Sequence, residues 1–158
     1  MQISDHFKLS EFERSTTAKA FGFTNIVPDK LIPSIRNLCN NILEPLREHI
    51  GVPVIIGSGY RCPSVNKIIG GVSNSQHMRG EAADISAPKY DINGKRLSEA
   101  QSQKELKNWF LWLKENTDYD QLILERLDHY SSHYWIHVSC KPKASDNRHQ
   151  VIYDLVKH

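Results

Sequence analysis

The run Ser75-Gln76-His77-Met78-Arg79-Gly80-Glu81-Ala82-Ala83-Asp84 carries a histidine and an aspartate seven residues apart. A second histidine stands in the strand-like run Trp135-Ile136-His137-Val138-Ser139. Two imidazoles and a carboxylate are a donor set for catalytic zinc, which keeps a fourth position open for water. If His77, Asp84 and His137 converge, the chain can activate water for hydrolysis. Spacing alone leaves another reading open, in which each histidine is an ordinary surface or hydrogen-bonded side chain. Other imidazoles are available as well: His129 and His133 lie close before His137. His6, His49 and His158 read as surface residues, and His149 is undecided.

Strand alternation determines what each of these side chains can reach. Residues 134–140 read as a strand in which Trp135, His137 and Ser139 share one face and Tyr134, Ile136 and Val138 the other. Residues 119–125 read as a second strand, with Gln121, Ile123 and Glu125 on one face and Leu122 and Leu124 on the other. Antiparallel pairing of the two puts Glu125 on the face of His137. Residues 82–86 predict a strand of mostly small residues, and Ala82 and Ser86 beside Asp84 leave room for a ligand.

The remaining segments supply the frame. Residues 10–14 predict a short helix, with Ser10 and Glu13 as a capping box. A longer helix opens at Val27-Pro28-Asp29, with Leu31, Ile35, Leu38, Ile42, Leu43 and Leu46 at helical spacing. Pro33 suits its first turn and Gly51 its end, and Pro45 should kink or divide it. Residues 52–56 predict a short strand whose pairing Pro53 limits, followed by a loop at 57–63. Residues 64–69 suit a helical turn or two, ended by Gly70-Gly71, and Asn93-Gly94 marks a turn. Residues 98–116 predict a helix with Leu106, Trp109, Phe110 and Leu113 facing inward. Val151-Ile152-Tyr153 reads as an edge strand or a frayed end. With no internal repeat, residues 1–158 read as one α+β domain.

Composition narrows the partners. Apolar content of 39% and charged content of 24% are ordinary for a globular chain. A net charge of +2 with interleaved signs gives no electrostatic case for nucleic acid. No apolar run approaches the ~20 residues of a membrane span, so no membrane insertion is expected. Residues 1–8 are polar and lack the apolar stretch of a signal peptide. The expectation is synthesis in the cytoplasm, with any action outside it following release or non-standard export. Cys39, Cys62 and Cys140 are odd in number and widely spaced, which argues against a disulfide framework and for small, partly buried thiols.

Several motifs together carry a family resemblance: Ser58-Gly59-Tyr60-Arg61, Asn66, Gly70-Gly71, Ser75-Gln76-His77, Gly80, Ala82-Ala83-Asp84, Gln121-Leu122-Ile123-Leu124-Glu125 and Trp135-Ile136-His137-Val138-Ser139. They resemble the zinc D-alanyl-D-alanine carboxypeptidase family, and more narrowly its short single-domain branch in bacteria and phages. The likeness runs from about Leu9 to Ser139, and its S-x-H-x-x-G-x-A-x-D pattern is specific. The resemblance implies a hedgehog/DD-peptidase fold, a small, mostly antiparallel sheet packed with helices around one Zn2+ per chain. It places the zinc ligands on His77, Asp84 and His137. It implies peptidoglycan stem or cross-link peptides as substrates, cleaved as a D,D-carboxypeptidase or endopeptidase; separately, the chain is expected to be a monomer. Joined to the polar start of the chain, it suggests a phage or prophage lysis enzyme, an endolysin. The alternative is a non-catalytic, zinc-containing wall-binding or virion structural module.

Within that site, Glu125 is the candidate to take a proton from water and give one to the leaving amine. Its other reading is a carboxylate that steadies a zinc histidine. Many family members carry an acid three positions before the last zinc histidine, where this chain has Tyr134, so the identity of the base stays open and the non-catalytic alternative gains support. His133 is a second candidate for that task. Arg61 can grip a substrate carboxylate, steady an oxyanion, or simply pair with an acid. Ser75 and Gln76 are candidates to bind substrate or orient His77. Tyr60 and Trp135 are candidates to line the cleft, with core packing as the other reading.

Overall fold

The computed structural model describes residues 1–157, so the surface reading of His158 lies outside the described residues. Five strands form one sheet in the order β1-β2-β4-β3-β5. They are β1 (Ile56–Ser58), β2 (Ala82–Ile85), β3 (Gln121–Arg126), β4 (Tyr134–Ser139) and β5 (Gln150–Val156). Every neighbouring pair is antiparallel except β5, which runs parallel to β3. The helices are α1 (Leu9–Glu13), α2 (Thr16–Phe21), α3 (Ile32–Leu38), α4 (Glu44–Ile50), α5 (Pro63–Ile68) and α6 (Glu99–Asn116). The α+β, mostly antiparallel expectation therefore holds.

The pleat sorts the two faces of this sheet. Ala83, Ile85, Leu122, Leu124, Ile136 and Val138 point to one side and share a core with helical residues such as Leu38, Leu46, Leu106 and Phe110. Burying each such aliphatic side chain is worth about 1.5–3 kcal/mol, which ties the helices to that face. Alternation sends Asp84, His137 and Ile123 to the other side. The register aligns them: Asp84 lies opposite His137, His137 opposite Ile123, and Ile123 opposite Ile152. Glu125 stands one step along the same face, opposite Trp135.

The long N-terminal helix divides where Pro45 predicts. Proline has no N–H for the ladder. Residues Cys39–Leu43 widen into a π turn, and the Glu44 N–H reaches back to the Cys39 carbonyl. The segment resumes as α4 and stops at Gly51, whose φ of 71° needs a residue without Cβ.

Two expectations are corrected, and an open one is decided. The first helix starts one residue earlier than expected, so the reciprocal bond joins Glu11 to the Lys8 N–H at 2.7 Å. Glu13 instead accepts from the Val27 N–H at 2.8 Å and ties the next segment down. Residues 52–55 do not pair as a strand. The ladder begins at Ile56 and takes in Gly57 and Ser58, which were expected in the loop. The tail resolves into β5 rather than a frayed end. Between Ile123↔Ile152 and Glu125↔Leu155 it carries one extra residue, a bulge at which Asp154 takes φ 58°. The Asp154 carboxylate is held there by the Tyr134 hydroxyl and an Arg126 guanidinium nitrogen, each at 2.9 Å. The cysteines are free, and burial pushes the Cys39 thiol up to about 12.

Asp120 anchors this tail. Its fully buried carboxylate accepts from the Arg148 backbone N–H at 2.8 Å and from the Arg148 guanidinium at 2.7 and 3.0 Å. Burial alone would raise its carboxyl, but Arg148, with Lys141 behind it, holds it below the ordinary range. The folded value lies below the unfolded one, so this stabilisation is complete above about pH 4 and is lost as pH falls through the folded value. Asp120→Asn should cost about 2 kcal/mol at neutral pH. Its melting temperature should also fall less steeply than wild type below about pH 4, which calorimetry across pH will measure.

Candidate metal centre

His77 sits on a 3-10 turn, Gln76–Arg79, between α5 and β2. The Ser75 hydroxyl accepts from the His77 N–H at 3.3 Å, and Gly80, at φ 68°, closes the turn. The turn delivers His77 against the outward face of the sheet just before β2 begins. Its ring is 2% exposed, with Nδ1 2.7 Å from the Gly59 carbonyl. A carbonyl only accepts, so Nδ1 holds the proton and Nε2 presents a bare lone pair.

That lone pair faces two more donors. His77 Nε2 lies 3.2 Å from His137 Nδ1 and 3.3 Å from Asp84 Oδ1. His137 Nδ1 lies 3.2 Å from the same Asp84 oxygen. One proton can satisfy one edge of this triangle, which leaves the other edges acceptor against acceptor. A cation satisfies all three. Zinc bonds of about 2.0–2.1 Å in a tetrahedron place ligand atoms roughly 3.3–3.4 Å apart, close to every edge here. No other cluster of this kind occurs among the described residues. The electrostatics agree. Burial lowers the His77 pKa and keeps the ring neutral, as a ligand must be.

Comparison with known proteins places this geometry. The description "Peptidase M15" matches residues 5–116, most of the chain. The chain belongs to the Peptidase M15 family. The match takes in His77 and Asp84 and stops before Glu125 and His137, which strand pairing brings to the same site. A 46-residue stretch of the M15 chain is 41% identical to the zinc D-Ala-D-Ala carboxypeptidase of Streptomyces albus G. That stretch covers 28% of the M15 chain and only 18% of the Streptomyces protein.

The other residues of the M15 site fall into two groups. Those that border the cleft of about 550 Å³ over the triangle include Arg61, Ser75, Gln76, Glu125 and Trp135. Arg61 donates from one terminal nitrogen to Asp84 Oδ2 at 3.2 Å and from Nε to the Ser58 hydroxyl at 3.1 Å. Gln76 donates to Glu81 at 3.0 Å, while its buried Oε1 has no partner among the described residues. Glu125 makes no side-chain hydrogen bond among the described residues. Burial first, and then the charge of Asp84, push its carboxyl up. A bound divalent cation acts in the opposite direction.

Two candidate participants, Tyr60 and His133, lie elsewhere, and so does Tyr134, which stands at the position of the family's usual acid. Tyr60 is packed into the hydrophobic core and does not line the cleft, because the Phe12 carbonyl and the Asn25 amide pin its backbone inward. Tyr134 belongs to the opposite face of β4, since three steps along a strand reverse the side-chain direction, and its hydroxyl is spent on Asp154. His133 is exposed and pairs with Glu99 at 2.8 Å. In the other direction, residue spacing gave no sign of the cleft wall formed by Ile152, Leu155 and Lys157 of the tail, nor of the cations Lys141 and Arg148 at its far end. The alternation of Val151-Ile152-Tyr153 was the available signal.

Gly59 links the frame to the metal site. A Cβ there would meet the Phe12 Cα at 2.7 Å, a backbone contact that cannot swing aside. Gly59→Ala must therefore shift the strand end that carries the carbonyl orienting His77. Because partners that orient a ligating histidine are worth about 10–100-fold in metal affinity, a loss of that size is expected in competitive zinc titration.

Proposed function

We propose that this M15 chain is a zinc peptidase that hydrolyses peptidoglycan stem or cross-link peptides. The observation that carries the reading is the donor triangle of His77, Asp84 and His137 with an uncommitted carboxylate, Glu125, on the same open sheet face. The substrate class is supported by the family and by the Streptomyces relative, a zinc D-Ala-D-Ala carboxypeptidase.

Zinc in the triangle would polarise the scissile carbonyl and bring the pKa of bound water to about 7. Glu125 takes the proton from the attacking water onto a carboxylate oxygen. It then delivers a proton to the nitrogen of the leaving amine. Its carboxylate, without a hydrogen-bond partner among the described residues, is free for both tasks. Arg61 turns Asp84 by holding Oδ2, which leaves Oδ1 for the triangle. The other terminal nitrogen of Arg61 has no partner among the described residues and is available to a substrate oxygen. Gln76 Oε1 is an acceptor without a partner beside the cleft. Trp135 borders the substrate path. Tyr134 is not needed for chemistry, because its position faces away from the metal, so the support it lent the non-catalytic alternative falls away.

Within this reading the chain acts on bacterial walls as a lysis enzyme after leaving the cytoplasm. The test is mass spectrometry of purified muropeptides incubated with the zinc-loaded chain. Loss of stem or cross-link peptides, with one zinc per chain, supports the reading. Intact muropeptides together with tight, zinc-dependent binding to wall fragments would replace it with the binding-module reading.

A further inference from the structure

We propose that the bulge in β5 positions the substrate: Asp154, tied to Tyr134 and Arg126 behind the sheet, holds Leu155 beside Glu125, and Leu155 with Ile152 forms a subsite for an aliphatic side chain of the peptide. The assignment rests on the peptidase reading above and names a binding surface within it. Residues three apart along a regular strand point to opposite faces. Ile152 lies opposite Ile123 and Leu155 opposite Glu125, so three steps on β5 match two on β3. The extra residue reverses the alternation once, and both Ile152 and Leu155 border the metal cleft. A regular β5 would turn Leu155 to the helical side of the sheet.

The bulge is held by named groups. Asp154 takes φ 58°, a left-handed conformation that costs a residue with Cβ and persists where its surroundings enforce it. Its carboxylate oxygens accept from the Tyr134 hydroxyl and an Arg126 terminal nitrogen, each at 2.9 Å. Tyr134 and Arg126 stand opposite each other in the β3–β4 ladder. The other terminal nitrogen of Arg126 donates to the His129 and Ser131 carbonyls at 3.2 Å, and the Lys107 ammonium lies 5.0 Å from the centre of the Tyr134 ring. One tie is thus anchored in the β3–β4 loop and the other on α6. Their result shows on the front of the sheet. There Leu155 is 37% exposed and Ile152 half-buried, an aliphatic pair open to the cleft. Ile123 stands between Ile152 and His137. Neighbouring strands lie about 4.8 Å apart, so Ile152 is about 10 Å from His137, the reach of about three extended residues. A peptide with its scissile carbonyl at the metal can therefore lay an aliphatic side chain on this pair, whichever way the peptide runs.

Kinetics of the zinc-loaded chain on one purified cross-linked muropeptide test this. Leu155→Ala should raise KM by about tenfold, the usual worth of a lost aliphatic contact, with kcat nearly unchanged, because the contact is made alike in ground and transition states. Leu155→Met conserves volume and should stay near wild type. Asp154→Gly keeps the left-handed φ but removes both ties, and should raise KM in the same way. In the Leu155→Ala background, Asp154→Gly should add little further, because both act on one surface. Zinc content should match wild type in every variant. An unchanged KM in Leu155→Ala, or an equal loss in Leu155→Met, would overturn the subsite. Fully additive effects of Leu155→Ala and Asp154→Gly would overturn the positioning role of Asp154. If the wild type does not cut the muropeptide, the peptidase reading fails. Calorimetry of the same muropeptide with metal-free protein then decides the subsite separately: weaker binding to Leu155→Ala supports it, and equal or absent binding sinks it.

Discussion

Glu125→Gln should keep one zinc per chain and lower peptide cleavage by about 10²–10⁴-fold, the usual worth of a positioned proton-transfer group. Glutamine preserves the shape of the side chain and its place opposite Trp135, but its amide cannot accept and release the proton. Glu125 is not a member of the donor triangle, so metal content should not change. The pairing of the two readouts is what gives the experiment its force. If Glu125 only steadied a zinc histidine, zinc affinity would drop along with activity. Metal analysis after dialysis and single-turnover cleavage of a purified muropeptide measure both. Cleavage within a few-fold of wild type would remove Glu125 from the chemistry.

Asp84→Ala should lose the metal. Its Oδ1 completes two of the triangle's three edges, and its Oδ2 holds Arg61 at 3.2 Å. The substitution leaves two imidazoles and a half-buried guanidinium beside them, a positive neighbour that further opposes cation binding. Partners that merely orient a ligand are worth about 10–100-fold in affinity, so loss of a ligand itself should exceed that range. Two consequences follow in one sample. Zinc no longer raises the melting temperature, because ligand stabilisation scales with the ratio of free metal to Kd. Hydrolysis also falls to background. A variant that still binds zinc stoichiometrically after dialysis would show that Asp84 is not a ligand.

The helical half of the fold was legible because its signals are local. Pro45 and Gly51 act on their own backbone, and the spacing of Leu38, Ile42 and Leu46 needs nothing but the helical repeat. The outward faces of β3 and β4 were legible for the same reason, since alternation follows from the pleat. Misreadings came where a distant partner decides. Glu13 was taken for a cap, but the Val27 N–H claims it. Tyr60 could by its neighbour Arg61 line the cleft or pack inward, and the structure takes the second reading, since adjacent residues can point into different surroundings and its ring is in the core. The tail was ambiguous because a parallel edge strand has no hairpin turn to announce it.

The sequence by itself nominated His77, Asp84, His137 and Glu125 as candidates, through residue type, strand period and the family resemblance, while spacing alone left ordinary histidines as the other reading. Only the tertiary structure decided that the donors meet at 3.2–3.3 Å. It also decided that Tyr134 faces away and that Lys157 returns from the far end of the chain to the cleft. The physical reason is sheet register. Asp84 and His137 are 53 residues apart and are paired by β2–β4 hydrogen bonds, and no local preference encodes which strands become neighbours.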